Sequence, residues 1–194
     1  MKWLIGIFLI VLEILGVSQV MGNSGQIEII DHISGSHFVA VLSATDIAHQ
    51  RNWDLNTSTI HVLKEDASLF VAFLANKDSQ SSSPDQWVID LNSRKELTVT
   101  AAIPWLAQIN GTKDVAELSG SSVAVIETAL GIFRSHGLDV GDYQIDVIRQ
   151  GESFTVIFAD KDRPQGTVGS VGKPGFEVEL NRKDLSVLRS NFVR

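Results

Sequence analysis

The chain has 194 residues, of which 44 % are hydrophobic, with no cysteine and a formal net charge of −7. That is the composition of a globular protein able to fill a core, and its acidic balance argues against a surface that tracks a phosphate backbone, which needs clustered Lys and Arg. The absence of cysteine rules out disulfides, thiol nucleophiles and lipid anchoring through a cysteine, so packing alone must hold the fold.

The first segment, MKWLIGIFLIVLEILGVSQVMGN, begins with Lys2 and runs apolar from Trp3 to Leu12. A positive start followed by an apolar run reads as a signal peptide over residues 1–22. Small residues stand at cleavage spacing in GVS (Gly16, Ser18) and VMG (Val20, Gly22). The competing reading is an uncleaved membrane anchor over residues 3–21. Glu13 opposes it, because a carboxylate at the bilayer centre costs about 2.5–3.5 kcal/mol, and a span needs about 20 apolar residues. The expectation is a secreted or periplasmic protein. Two sequons, Asn56-Thr57-Ser58 and Asn110-Gly111-Thr112, matter only in a eukaryotic secretory pathway.

Beyond the leader the chain resembles itself. IIDHISGSHFVAVLSATDI from Ile29 lies over KDVAELSGSSVAVIETALGI from Lys113, and WDLNTSTIHV (53–62) over LDVGDYQIDV (138–147). LFVAFLANKD (69–78) lies over FTVIFADKD (154–162), and WVIDLNSRKEL (87–97) over FEVELNRKDL (176–185). The order is kept throughout. This predicts two tandem related units, 26–110 and 112–194, joined at NGTKD (110–114).

Within the first unit, QIEII (26–30) suits a strand and Ser36 to Asn52 a helix with Leu42, Ala44, Ile47 and Ala48 on its apolar face. Val71 to Phe73 belongs to a buried strand. In the second unit, Ser121 or Ser122 caps a helix that ends at Gly137, with Ile126, Ala129, Leu130 and Phe133 at helical spacing. Strands follow: Tyr143, Ile145 and Val147 alternate with Gln144 and Asp146, then come Phe154, Val156 and Phe158, and then Phe176, Val178 and Leu180 alternate with Glu177 and Glu179. Such alternation predicts antiparallel strands with one face buried and one solvated. The fold class is α+β, each unit a helix packed on a small antiparallel sheet. The last stretch, RKDLSVLRSNFVR, carries four cations and one acid and reads as a solvated chain end.

The order helix, strand, hairpin, strand, with ATDIA (44–48) on the helix and VIDLNSRKEL (88–97) closing the hairpin, resembles PepSY-type or cystatin-like modules. It departs from the PepSY pattern after Asp90, where Leu-Asn-Ser-Arg contains no glycine. The resemblance covers nearly all of both units. It implies exported modules that bind or restrain other proteins, peptidases among them, and it supplies no catalytic residues.

No catalytic set converges. His32, His37, His49 and His61 fall in the first unit and His136 in the second, without the spacing of a zinc site. Asp46 and His49 are three apart and fit one helix face. No Gly-x-Ser-x-Gly occurs. Ser-Gly-Ser precedes each helix, as a cap and turn or as an anion site at a helix N-terminus. The glycine-rich RPQGTVGSVGKPG (163–175) links two strands, so it reads as a long hairpin loop rather than a phosphate loop, and its counterpart is SQSSSPDQ (79–86). Both loops are candidates for touching a partner, through Ser82, Pro84, Arg163, Gly169 and Lys173. Trp87, over Phe176, suits the core, and Trp105 suits the contact between units. No metal, cofactor or nucleic acid is expected. The leading expectation is a non-enzymatic envelope protein, accessory or inhibitory, that binds a protein or peptide. The alternative is a small-ligand binder or enzyme with a pocket in one unit only.

Overall fold

The computed structural model describes residues 27–65, 68–75, 86–92, 95–97, 113–162 and 172–193. The leader, the second sequon, Ser82, Pro84, Arg163, Gly169 and Trp105 lie outside them, as does the Trp87 side chain. The described elements run β1 (Ile27–Ser34), α1 (Gly35–Gln50), a 3-10 turn (Leu55–Thr57), β2 (Ser58–Glu65), β3 (Ser68–Ala75), β4 (Gln86–Asp90) and β5 (Lys95–Leu97). Then come β6 (Lys113–Ser119), α2 (Gly120–Ser135), a 3-10 turn (Val140–Asp142), β7 (Tyr143–Gln150), β8 (Ser153–Asp160), β9 (Gly175–Asn181) and β10 (Val187–Val193). The architecture is α+β: two helices and two antiparallel sheets.

The sheets do not follow the expected boundary at residues 110–112. One is ordered β1-β7-β8-β9-β10, the other β5-β4-β3-β2-β6. The first strand of each half is therefore paired into the sheet of the other half, Ile33 opposite Ile145 and Leu118 opposite Ile60. The borrowed strands β1 and β6 also touch each other. A single core cluster draws on both halves, including Phe38, Val41, Phe73 and Ile89 with Ile126, Phe133, Tyr143 and Phe158.

Local chemistry explains the helix ends. The Ser34 hydroxyl accepts from the His37 N–H at 3.2 Å and caps α1. At α2 the expected cap differs. Ser121 and Ser122 lie inside the first turn, and the N-cap residue Ser119 makes no side-chain cap bond. Asp31, on β1, accepts from the Ser119 N–H at 3.0 Å and from the Ser122 hydroxyl, so one half supplies the cap of the other half's helix. Both helices end in a left-handed residue, Asn52 (φ 57°) and Gly137 (φ 74°), a geometry these two residue types tolerate.

The α2 face of Ile126, Ala129, Leu130 and Phe133 is buried as expected. The α1 face is rotated from the expected one: Phe38, Val41, Ala44, Thr45 and Ala48 are buried, while Leu42 and Ile47 sit at its margin. Phe38, not counted in the expected face, anchors this stripe at i, i+3 and i+7 spacing. The Thr45 hydroxyl meets its burial by donating to the Leu42 carbonyl at 2.9 Å. The β7 and β9 alternations hold, with Tyr143, Ile145, Val147, Phe176, Val178 and Leu180 buried.

Candidate protein-docking edge

The C-terminal stretch is a strand. β10 pairs antiparallel with β9, Ser190 opposite Val178 and Phe192 opposite Phe176, with a bulge between Val187 and Arg189. The turn before it is built from side chains. Asn181 Oδ1 accepts from the Lys183 N–H at 2.8 Å and Asp184 Oδ1 from the Ser186 N–H at 3.0 Å. The Asn181 N–H donates to the Ser186 carbonyl at 2.8 Å and the Leu185 N–H to the Asn181 carbonyl at 2.9 Å, holding Leu185 at φ 55°. This closure delivers the chain back along β9 instead of into solvent.

β10 is the last strand of its sheet, so one of its sides has no strand neighbour among the described residues. Its faces differ. On the solvated face Arg189 lies 3.1 Å from Glu177 and 3.5 Å from Glu179, which matches one of the cations that made this stretch look like a free tail. On the helix face Phe192 meets Phe176 edge-on at 5.1 Å and the His136 ring at 5.2 Å. Val187, Leu188 and Phe192 are nevertheless 48, 54 and 49 % exposed. Three large apolar side chains half in water on one edge strand form an apolar rim beside backbone that no strand among the described residues covers, the combination that invites another strand.

Of the residues singled out in the two long loops, Lys173 is described. Its ammonium pairs with Asp142, and its N–H donates to Asp160 Oδ2 at 2.9 Å. Lys161 reaches the Gly141 carbonyl at 3.0 Å from the other side. The hydrogen bond to Lys173 lowers the Asp142 pKa and raises that of Lys173, while the N–H groups of Lys173 and Asp162 lower that of Asp160. This cluster ties the end of β8 to the residues just before β9. Beside it the Tyr143 hydroxyl is buried, has no hydrogen-bond partner among the described residues, and has its pKa raised by burial.

His32 Nδ1 sits 2.5 Å from Asp146 Oδ1 on the solvated face of the first sheet. This bond, against a smaller effect of burial, raises the His32 pKa. Burial and then Lys64 lower that of His37. No group of three His, Asp or Glu able to hold a metal ion occurs among the described residues. An open cleft of about 350 Å³ runs along α1, lined by Ser43, Asp46, Ile47, Gln50 and Leu91. No helix among the described residues is long and apolar enough to cross a membrane. No family model, curated protein or solved structure matches the chain.

Strand β10 was missed in the sequence because VLRSNFV does not alternate strictly and carries charge. Its signal is a seven-residue stretch without Gly or Pro, apolar at both ends and polar at its centre.

Proposed function

We propose that this is an exported, non-enzymatic protein of the cell envelope that binds an extended segment of a protein through the edge of β10. The half-exposed Val187, Leu188 and Phe192 on that edge carry the reading. Strand addition to a sheet edge draws affinity from backbone hydrogen bonds and selectivity from alternate side chains. The leader supports export: residues 1–22 serve as a signal peptide, and an intact mass of a mature chain beginning near Gln19 or Asn23 tests cleavage against retention as an anchor. The two halves are read as related tandem copies of one strand-helix-strand unit that arose by duplication. The element order, strand, helix, 3-10 turn and four strands in each half, supports this.

The test places a photo-crosslinking residue at position 188 of the exported chain in its own envelope, with position 39, an exposed site on α1, as control. Protein adducts from 188 and not from 39 are expected. Equal or absent adducts at 188 overturn the reading. A small-ligand reading has the α1 cleft in its favour, because Ser43, Asp46 and Gln50 give it polar walls. It requires amide shifts at those residues on titration with a small polar compound.

A further inference from the structure

We propose that the cleft along α1 is a binding site for an alkyl cation, a short chain that ends in an ammonium or guanidinium group. The inference rests on the small-ligand reading of that cleft, names the class of its ligand, and stands apart from the β10 edge.

The walls decide the chemistry. Ser43, Asp46, Ile47 and Gln50 recur at helical spacing on one face of α1, and Leu91, just past β4, forms the other side. The Ser43 hydroxyl donates to the Val39 carbonyl at 3.1 Å, so toward the cleft it has only lone pairs to offer. An ionised Asp46 is acceptor-only as well, and Gln50 brings one carbonyl and one amide. The Asp46 and Gln50 side chains are exposed, and neither is tied up in a hydrogen bond or ion pair among the described residues. A wall with two acceptor-only groups and a negative charge is complementary to a ligand that only donates, as an ammonium or a guanidinium does. Ile47 and Leu91 add an apolar strip suited to a short methylene chain. The volume of about 350 Å³ lies near the lower end of small-molecule sites, which run from about 300 to about 1,000 Å³.

The surroundings favour a cation over an anion. Asp46, Ile47 and Gln50 belong to the last two turns of α1, where the carbonyl end of the helix carries partial negative charge. Glu127 of α2 stands within electrostatic reach of Asp46 and His49. Burial raises its pKa, with His49 opposing and Asp46 adding to the rise. Arg51, the residue after Gln50, has an interaction of its own. The same positions on α2, counted from its first glycine, hold Thr128, Gly131, Ile132 and Ser135. Thr128 repeats the bond of Ser43 by donating to the Ala124 carbonyl at 2.8 Å. Gly131, however, stands where α1 has Asp46, with open space beside it. The carboxylate is therefore no requirement of the helix itself.

The test titrates amide spectra of the mature chain with four-carbon compounds of different charge: diaminobutane, butanediol and succinate. Saturable shifts confined to Ser43, Asp46, Ile47, Gln50 and Leu91 are expected with diaminobutane alone. Asp46→Asn, which keeps the shape and removes the charge, is expected to weaken that binding by about tenfold or more, with an unchanged far-UV spectrum. A second arm uses a short, neutral-ended peptide carrying one Lys or one Arg. Tighter binding of the peptide assigns the cleft to a partner's side chain, tighter binding of diaminobutane to a free amine, and both support the site. Shifts scattered over carboxylates across the chain, or an Asp46→Asn variant that binds as wild type does, overturn it. Saturation by butanediol or succinate instead overturns the cation and leaves the cleft a small-ligand site. No shift in the cleft with any of these compounds overturns both, and leaves crosslinking at position 188 as the separate test of the β10 edge.

Discussion

Gly35 and Gly120 show how tightly the halves interlock. A Cβ at Gly35 would lie 1.8 Å from the Val140 carbonyl oxygen, and one at Gly120 1.7 Å from that of Leu55. Each glycine at a helix start admits the 3-10 turn of the other half. Backbone cannot step aside as a flexible side chain can, so Gly35→Ala or Gly120→Ala is expected to cost about 3 kcal/mol or more. A urea midpoint that moves by less than the shift of an ordinary exposed Gly→Ala change counts against the interlock. The sequence shows Ser-Gly-Ser twice and suggests caps and turns. The reason for the glycine was not legible, since the atoms that exclude a side chain belong to a turn far along the chain. A second residue-scale expectation concerns pH. Its bond to Asp146 raises the His32 pKa in the fold. Its stabilisation is therefore full below the unfolded value of about 6.5 and is lost as pH rises through the higher folded value. His32 is mostly exposed, which limits the gain to below about 1 kcal/mol. Asp146→Asn is expected to flatten the change in Tm between about pH 6 and about pH 8, and a profile identical to wild type refutes the pair.

At the scale of elements, the largest side chain on the buried face of α2 is Phe133. Phe133 stacks on Phe158 at 4.2 Å and meets Tyr143 and Phe176 edge-on at 4.9 and 5.9 Å. Its removal leaves a cavity against three strands at once, so Phe133→Ala is expected to cost about 3–5 kcal/mol. A loss under about 1 kcal/mol in denaturant titration would mean that α2 is not packed on this sheet. This element was legible, because its apolar residues recur at helical spacing and a left-handed glycine follows. The β9 alternation was legible for the same reason, since period and burial agree. α1 was less so: its first large buried side chain, Phe38, lies in the first turn after the cap residue Ser34, and the stripe is rotated away from Leu42 and Ile47. Strand β10 was not legible. A bulge disrupts its period, and its cation is matched by carboxylates on the neighbouring strand, a match that spacing within one segment does not reveal. Asp31 is similar. It sits in β1, yet it caps α2 and is held partly out of water there, which raises its pKa despite the bonds from Ser119 and Ser122.

For the whole molecule, the exchange of β1 and β6 decides how it folds. Likeness between two segments of a sequence does not say which strand pairs with which sheet, because like segments would offer like edges. The structure places β1 on β7 and β6 on β2, and the core mixes side chains from both halves. Neither 26–110 nor 112–194 then carries a complete set of partners. The second half alone lacks the strand beside β7, the carboxylate that caps α2 and the turn against which Gly120 packs. The intact chain is expected to unfold in one transition, with far-UV dichroism and tryptophan fluorescence coincident. Each half expressed alone is expected to be unfolded or to pair with its own kind, lending its first strand to a twin. Mixing the two halves is expected to restore the spectrum of the intact chain. A dispersed amide spectrum from either half as a monomer would show that this pairing is dispensable, and that each half can fold back on its own first strand.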